Sequence, residues 1–411
     1  MPRSGSKLPK SEATRLRLLD CAVAEIVESG PDRLGFTAVA RRASMSTGAL
    51  YARYENADEL LLEVWLNRCL PILRDLLDDM VEALGKEEGV AARLRIGDRL
   101  SGPDPGLLLL ANLLVVGRRN ETVHEVLEPT FVDAVVKART KAPGIELFLG
   151  MVLGVSLCVE GVGLKGLDWS GSVSLVARSV AAVADADPRI PEVTAEPETF
   201  CSPENVDDVE RRLFDAVASV IAKVGVDRAT VSRIARTADI NPASIYMRYE
   251  DKYALFRSAI SHVMAMGSSN NRRLVERYRS GTRAEQDGRR GSVAMFLGNA
   301  SKAYEPVRRL RLETMLAATH DEEISRATNT IYRAAIAETE SQMGAPKGSL
   351  TGRDALPYIT LHRFAFFGYA ILCEYGLIDD RNTSVDPYMR RVGEILTGLY
   401  AQSMKQGSRN K

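Results

Sequence analysis

Two segments of the chain gather basic side chains and clear away acids. Phe36 to Tyr54 carries Arg41, Arg42 and Arg53 with no carboxylate, and Val231 to Tyr249 carries Arg233, Arg236 and Arg248 against Asp239 alone. Over all 411 residues 54 basic side chains balance 54 acidic ones, so nothing draws the whole protein to a polyanion. A local basic patch on a neutral background is the electrostatic footprint of a nucleic-acid reader. Catalysis has less to work with. Cys21, Cys69, Cys158, Cys201 and Cys373 show no metal spacing, which suits a reduced cytoplasmic chain, with Cys201 a candidate oxidant-sensing thiol. The four histidines are scattered, and His320-Asp-Glu-Glu323 reads as a helix start with acids at its positive end. Gly161-Val-Gly-Leu-Lys-Gly166 matches the dinucleotide fingerprint, but an apolar helix precedes it where phosphate cradling needs a strand. We expect no catalytic residue, no metal and no cofactor.

The two basic segments are copies of one another. Asp20 to Leu60 aligns without a gap on Asp215 to Leu255 at an offset of 195 residues, and eleven of the thirty-one positions from Gly30 to Leu60 are identical. A repeat of this length is a duplicated module, longer than the ~20–50-residue period of a solenoid. Within each copy, Phe36, Val39, Ala40 and Ala43, or Val231, Ile234, Ala235 and Ala238, fall at helical spacing and predict one buried stripe. A second helix follows after a short turn: Ser46 is placed to cap it in the first copy, and Asn241 with Pro242 in the second. Met45 and Leu50, like Ile240 and Ile245, stand where a hydrophobic staple would pin that second helix. Its other face, Thr47, Gly48, Ala49, Tyr51 and Arg53, has no apolar stripe to bury and is available to a partner.

This is a helix-turn-helix pattern, whose second helix enters the DNA major groove. The run Gly30-x-Asp32-x3-Phe36-x2-Val39-Ala40-x2-Ala43-x-Met45-Ser46-x3-Leu50-Tyr51-x-Arg53-Tyr54 resembles the DNA-binding domain of the TetR family of bacterial repressors, as does its second copy, Ile221 to Leu255. The family's usual turn glycine is Ser44 or Asp239 here, and its usual histidine-phenylalanine pair is Arg53-Tyr54 or Arg248-Tyr249. The resemblance implies phosphate contacts from Tyr51, Tyr246 and Lys252, the last replaced by Ala57 in the first copy. The expected DNA-contacting set is Arg42, Ser46, Thr47, Gly48, Ala49, Tyr51 and Arg53, with Asn241, Pro242, Ala243, Ser244, Tyr246, Met247, Arg248 and Lys252.

Elsewhere the periodicity stays helical. Helices are expected at Glu12–Ser29, in Leu61–Leu84 broken by Pro71, and around Leu107–Val116, Glu121–Arg139, Ile145–Leu164 and Val173–Val183. The second half repeats the layout with Val209–Val224, a long Tyr253–Tyr278, Ser292–Tyr304, Glu305–Thr319, Glu322–Gln342, Leu356–Tyr375 and Pro387–Met404, and a polar loop at Ser280–Gly291. Ile145–Leu164, interrupted by Glu146 and Glu160, reads as too short to cross a bilayer, which needs about 20 apolar residues, and the first ten residues lack the apolar core of a signal peptide. We therefore expect a cytoplasmic protein without a membrane partner.

The expected fold class is all-α: two tandem TetR-like units, each a three-helix DNA-binding domain followed by a helical regulatory and pairing domain. The boundaries are a basic arm at 1–11, heads at 12–60 and 207–255, regulatory domains at 61–186 and 256–405, a proline-rich linker at 187–206 and a tail at 406–411. That linker can reach roughly 70 Å, beyond the ~34–36 Å between adjacent half-sites. By the resemblance, Ile145–Leu164 with Val173–Val183 and Leu356–Tyr375 with Pro387–Met404 would pair the two halves into a single-chain pseudo-dimer, which could pair again as a homodimer. The two recognition surfaces differ, so unlike half-sites are expected in the operator. An unknown small-molecule effector would lie among Met295, Phe296, Met315, Phe364, Phe366 and Phe367, with Glu160, His362, Arg363 or Glu374 as polar contacts. Two rival readings are a helical enzyme and an interaction protein, each with vestigial helix-turn-helices.

Overall fold

Apolar side chains at helical spacing dictate the architecture. The computed structural model describes residues 9–182, 206–263, 296–342 and 356–379, except 86–88 and 103, with a few single positions beyond. Every regular element among the described residues is helical. All but the last residue of the linker at 187–206, the loop at Ser280–Gly291, the tail at 406–411 and nearly all of Pro387–Met404 lie outside the described residues.

The first head consists of α1 (Lys10–Ser29), α2 (Phe36–Arg42) and α3 (Thr47–Tyr51). Leu18, Leu19, Ala22 and Ile26 of α1 close over Val39, Ala40 and Leu50, all buried. Next come α4 (Ala57–Val64) and α5 (Leu70–Leu84), joined by a π-helical turn at Trp65–Cys69. The break expected at Pro71 is this turn. Proline has no N–H for the ladder, and the wider turn before it absorbs the mismatch without ending the run. α6 (Val90–Ser101) has no counterpart in the sequence reading; α7 (Pro105–Arg119), α8 (Glu121–Lys141), α9 (Ile145–Val162) and α10 (Ser170–Ala181) do.

The second head repeats the first with α11 (Asp208–Val224), α12 (Val231–Ala238) and α13 (Pro242–Tyr246), followed by α14 at 252–263. Residues 264–278 of the expected long helix lie outside the described residues. α15 (Glu305–Ala318), α16 (Glu322–Gln342) and α17 (Leu356–Glu374) complete the chain.

α9 is the spine. α15, α16 and above all α17 pack on it, so helices from the two halves touch along its length. The crossing is a backbone contact: a Cβ on Gly154 would fall 2.0 Å from the Phe364 carbonyl oxygen, and one on Gly368 would fall 1.7 Å from that of Gly150. Only glycine permits such an approach. Around it Trp169 of the first half meets Phe364 of the second with ring centroids 6.0 Å apart, and the Tyr375 hydroxyl donates to the Leu114 carbonyl at 2.7 Å. The expectation that Ile145–Leu164 is too short for a bilayer does not hold by length and composition: α9 and α17 each meet both criteria, because the two glutamates of α9 fall near its ends. Here 89% of the α9 span is buried inside the protein. Glu146 is buried there as well, paired with Arg139 at 3.3 Å.

Candidate nucleic-acid interface

Each head needs a turn that drops one helix across another, and in both the turn residue departs from the resembled pattern. Ser44 and Asp239 take the left-handed conformation, with φ of 52° and 53°. A side chain costs something there, and asparagine, aspartate or glycine is the usual solution. The next amide closes each turn, Met45 N to the Ala40 carbonyl and Ile240 N to that of Ala235, both at 2.9 Å.

The recognition helices are single short turns of five residues, α3 and α13. Asn241 caps α13 as expected, its Oδ1 accepting from Ala243 N at 2.9 Å. Ser46 does not: it stands in the N-cap position with extended backbone, but its hydroxyl makes no capping bond. Leu50 and Ile245 anchor the inner faces, and Tyr54 and Tyr249 are buried at the C-terminal ends, with hydroxyls donating to Glu63 and Glu210. Outward-pointing side chains remain: Tyr51 is 67% exposed, Tyr246 59% and Met247 80%. Ser46, Gly48, Arg53, Pro242 and Ala243 are exposed too, while Thr47, Ala49 and Ser244 are partly covered. Tyr51 is steadied edge-on against Phe36, with centroids 4.9 Å apart.

The expected cations divide into exposed and engaged groups. Arg41, Arg233 and Arg236 are exposed on α2 and α12. Arg42 instead turns back to α1, where it pairs with Glu25 at 3.3 Å and Glu28 at 2.5 Å. Arg53 donates to the Ala49 carbonyl at 3.0 Å, and Arg248 pairs with Asp207 at 2.7 Å. That aspartate also caps α11 through Glu210 N, which with the guanidinium holds its carboxyl below the usual range. The Lys252 ammonium lies over the rings of Tyr253 and Phe256, at 5.2 and 5.3 Å. A phosphate would have to draw Arg42, Arg248 and Lys252 away from these partners.

The expected effector set is only partly assembled. Phe296, Phe366 and Phe367 line a cavity with Arg308, Arg311 and Cys373, whose volume of about 10 Å³ is room for one water at most and too small for an effector. Met315 and Phe364 are buried elsewhere, in contact range of Gly161 and against Trp169 respectively, and Met295 lies outside the described residues, as does Cys201. Glu160 pairs with Lys165, Arg363 donates to the Ala335 carbonyl, and Glu374 is held by Arg118, Arg308 and Arg309. The His362 side chain is outside the described set. At the glycine-rich stretch α9 runs on through Val162 and ends on Gly163 at φ 68°, so no strand leads into it. Among the described residues no group of three or more metal-ligating side chains comes together.

The model for bacterial regulatory proteins of the tetR family matches residues 18–64 and again 213–259, which are the two heads just described. The chain carries two tetR-family domains in tandem. The chain is also similar, at 33% identity over 92 residues, to the probable acrEF/envCD operon repressor of Escherichia coli (strain K12). That match covers 22% of this chain and 40% of the repressor. A further match, at 41% identity over 54 residues, is to the HTH-type transcriptional regulator AqdR of Rhodococcus erythropolis, covering 13% of this chain and 26% of that protein. The chain thus spans less than half the length of either relative.

Proposed function

We propose that this chain is a DNA-binding transcriptional regulator, a repressor in its simplest form. The observation that carries the reading is the pair of tyrosine-bearing recognition helices, both exposed, on heads that match the tetR family model. The similar proteins, an operon repressor and a transcriptional regulator, point the same way. The two halves act as one pseudo-dimer around the α9–α17 crossing, and double-stranded DNA is the partner. Thr47, Gly48, Ala49 and Ala52 on one head stand against Pro242, Ala243, Ser244 and Met247 on the other, so the operator has unlike half-sites. Small side chains of this kind read methyl groups and groove shape more than donor patterns. A small effector would act by favouring a state whose heads are wrongly spaced for DNA.

The test is binding to DNA upstream of the protein's own gene across a salt series. Tyr51→Ala and Tyr246→Ala, made separately, should each weaken binding and leave the salt slope nearly unchanged, because a neutral phenol that touches a phosphate releases no counterion. Unequal losses identify the dominant head. Unchanged affinity in both variants would contradict the assigned roles.

A further inference from the structure

One short string, Gly-x-Asp-Arg, follows the first helix of both heads: Gly30-Pro-Asp-Arg33 and Gly225-Val-Asp-Arg228. The fold sets the two strings face to face. Arg33 Nη2 donates to Asp227 Oδ1 at 2.6 Å, and Arg228 Nε lies 3.3 Å from Asp32 Oδ1. Each arginine takes the aspartate of the other head, the reciprocity of an isologous two-fold contact built within one chain.

Beneath each aspartate stands a basic group at the end of a long helix. Arg119, closing α7, donates from Nη1 to Asp32 at 3.0 Å and from Nε to Glu313 at 2.7 Å. His320, just past α15, brings Nε2 to 3.2 Å from Asp227 Oδ2. Both also press on the opposite head: a Cβ on Gly225 would fall 2.6 Å from Arg119 Nη2, and one on Gly30 would fall 2.5 Å from the His320 ring. These glycines have φ of 80° and 88°, so the close approach and the backbone make the same demand. Arg119, Asp32, Glu313 and His320 are all nearly sealed from solvent, whereas Arg33 and Arg228 are 44% and 58% exposed.

We propose that this reciprocal clamp fixes the separation of the two reading heads and therefore the half-site spacing the protein accepts; the second clause rests on the DNA-binding reading above. Exposed ion pairs contribute little singly. A buried ion that loses its partner is strongly penalised, so the sealed part stays closed and gives the junction its stiffness. The outer arginines then set which face meets which, since reversing their charge would place acid against acid. The α9–α17 crossing joins the bodies of the two halves, and the clamp is the contact made directly between the heads.

The test uses the full chain with spin labels on non-natural residues at Glu55 and Glu250, which are exposed and equivalent in the two heads. Without DNA, the distance between labels should be single and narrow, and should broaden in Arg33→Asp/Arg228→Asp. Should that variant fail to fold by circular dichroism, the milder Arg33→Ala/Arg228→Ala pair replaces it. A folded variant that keeps the narrow distance overturns the clamp. In a second arm, two base pairs inserted between half-sites should weaken wild-type binding about tenfold, the scale of one mismatched base pair, and should barely affect the variant. Equal losses in both overturn the spacing claim. Absence of DNA binding in every protein overturns the DNA-binding reading and the spacing claim with it, and the label distances still decide the clamp.

Discussion

Replacing Gly368 by alanine should part the two halves of the molecule. The added methyl would stand 1.7 Å from the Gly150 carbonyl oxygen, 2.6 Å from its carbon and 2.8 Å from Gly154 N, and Cβ contacts essentially never fall under 3.0 Å. All three atoms are backbone of a long buried helix, so no side-chain rotation relieves the clash. α17 must move away from α9 by more than 1 Å, and a gap of even 0.5–1 Å forfeits roughly a quarter to a half of each dispersion contact. Tyr369, Leu372 and Phe364 flank the crossing. A buried leucine alone makes some 40–60 such contacts at ~0.1–0.2 kcal/mol each, so losing a quarter across two or three side chains costs about 4–6 kcal/mol. This exceeds the ~1–3 kcal/mol of ordinary overpacking. Urea unfolding followed by tryptophan fluorescence suits the measurement, because Trp169 lies at the seam against Phe364 while Trp65 sits against Phe131 in the first half. Gly298→Ala is the control: Gly298 lies in a short helical stretch at 296–300, nothing lies within 4 Å of its Cβ position, and alanine there should gain about 0.5–1 kcal/mol. A Gly368→Ala protein within 1 kcal/mol of wild type would refute the reasoning.

Further outcomes follow from the ionisable groups and caps. Burial pushes the Glu313 carboxyl up to about 7, with Arg119 only partly offsetting it. A raised acid favours folding as it protonates, so stability should climb as pH falls from about 7 towards 4.5, by at most ~1.4 kcal/mol per unit, and Glu313→Gln should flatten that limb; an unchanged slope would count against it. Asp227 is the opposite case: despite burial, hydrogen bonds from His320 and Arg33 hold it down at about 2. Its contribution of about 2 kcal/mol is complete above pH 4 and fades as pH falls towards 2, and Asp227→Asn should lose it at neutral pH in a thermal or urea melt. Asn241→Ala should cost about 1 kcal/mol, whereas Ser46→Ala should be close to neutral, since its hydroxyl caps nothing; equal losses would mean the two heads are capped alike.

What the sequence made legible was whatever depends on near neighbours. Both heads could be read because the stripe of Val39 and Ala40, the staple of Leu50 and the cap at Asn241 are all set within a few residues. Five-residue recognition helices and buried Tyr54 and Tyr249 follow from the same local rules. α6 escaped because its buried positions, Ala92, Ile96, Gly97 and Leu100, include two residues too small to mark a stripe. The α9–α17 crossing needs Gly150 and Gly154 to meet Gly368 some two hundred residues on, and no periodicity announces that. The clamp was hidden for a related reason. Asp32 and Arg33 look like a solvated turn until the second copy is folded against them, although their identity with Asp227 and Arg228, away from the recognition helix, was a usable signal. The effector set was drawn from apolar composition, which cannot separate a binding cavity from a packed core, and the space beside Phe296 and Phe367 holds about one water.

The central claim is that one chain presents two different heads to one stretch of duplex. Hydroxyl-radical footprinting of the upstream DNA, with the stoichiometry of the same complex read by native mass spectrometry, tests it most directly. One chain protecting two patches of unlike sequence, on one face of the helix about a turn apart, is the predicted result. Two chains on a perfect palindrome, or no protection at low ionic strength, would contradict it.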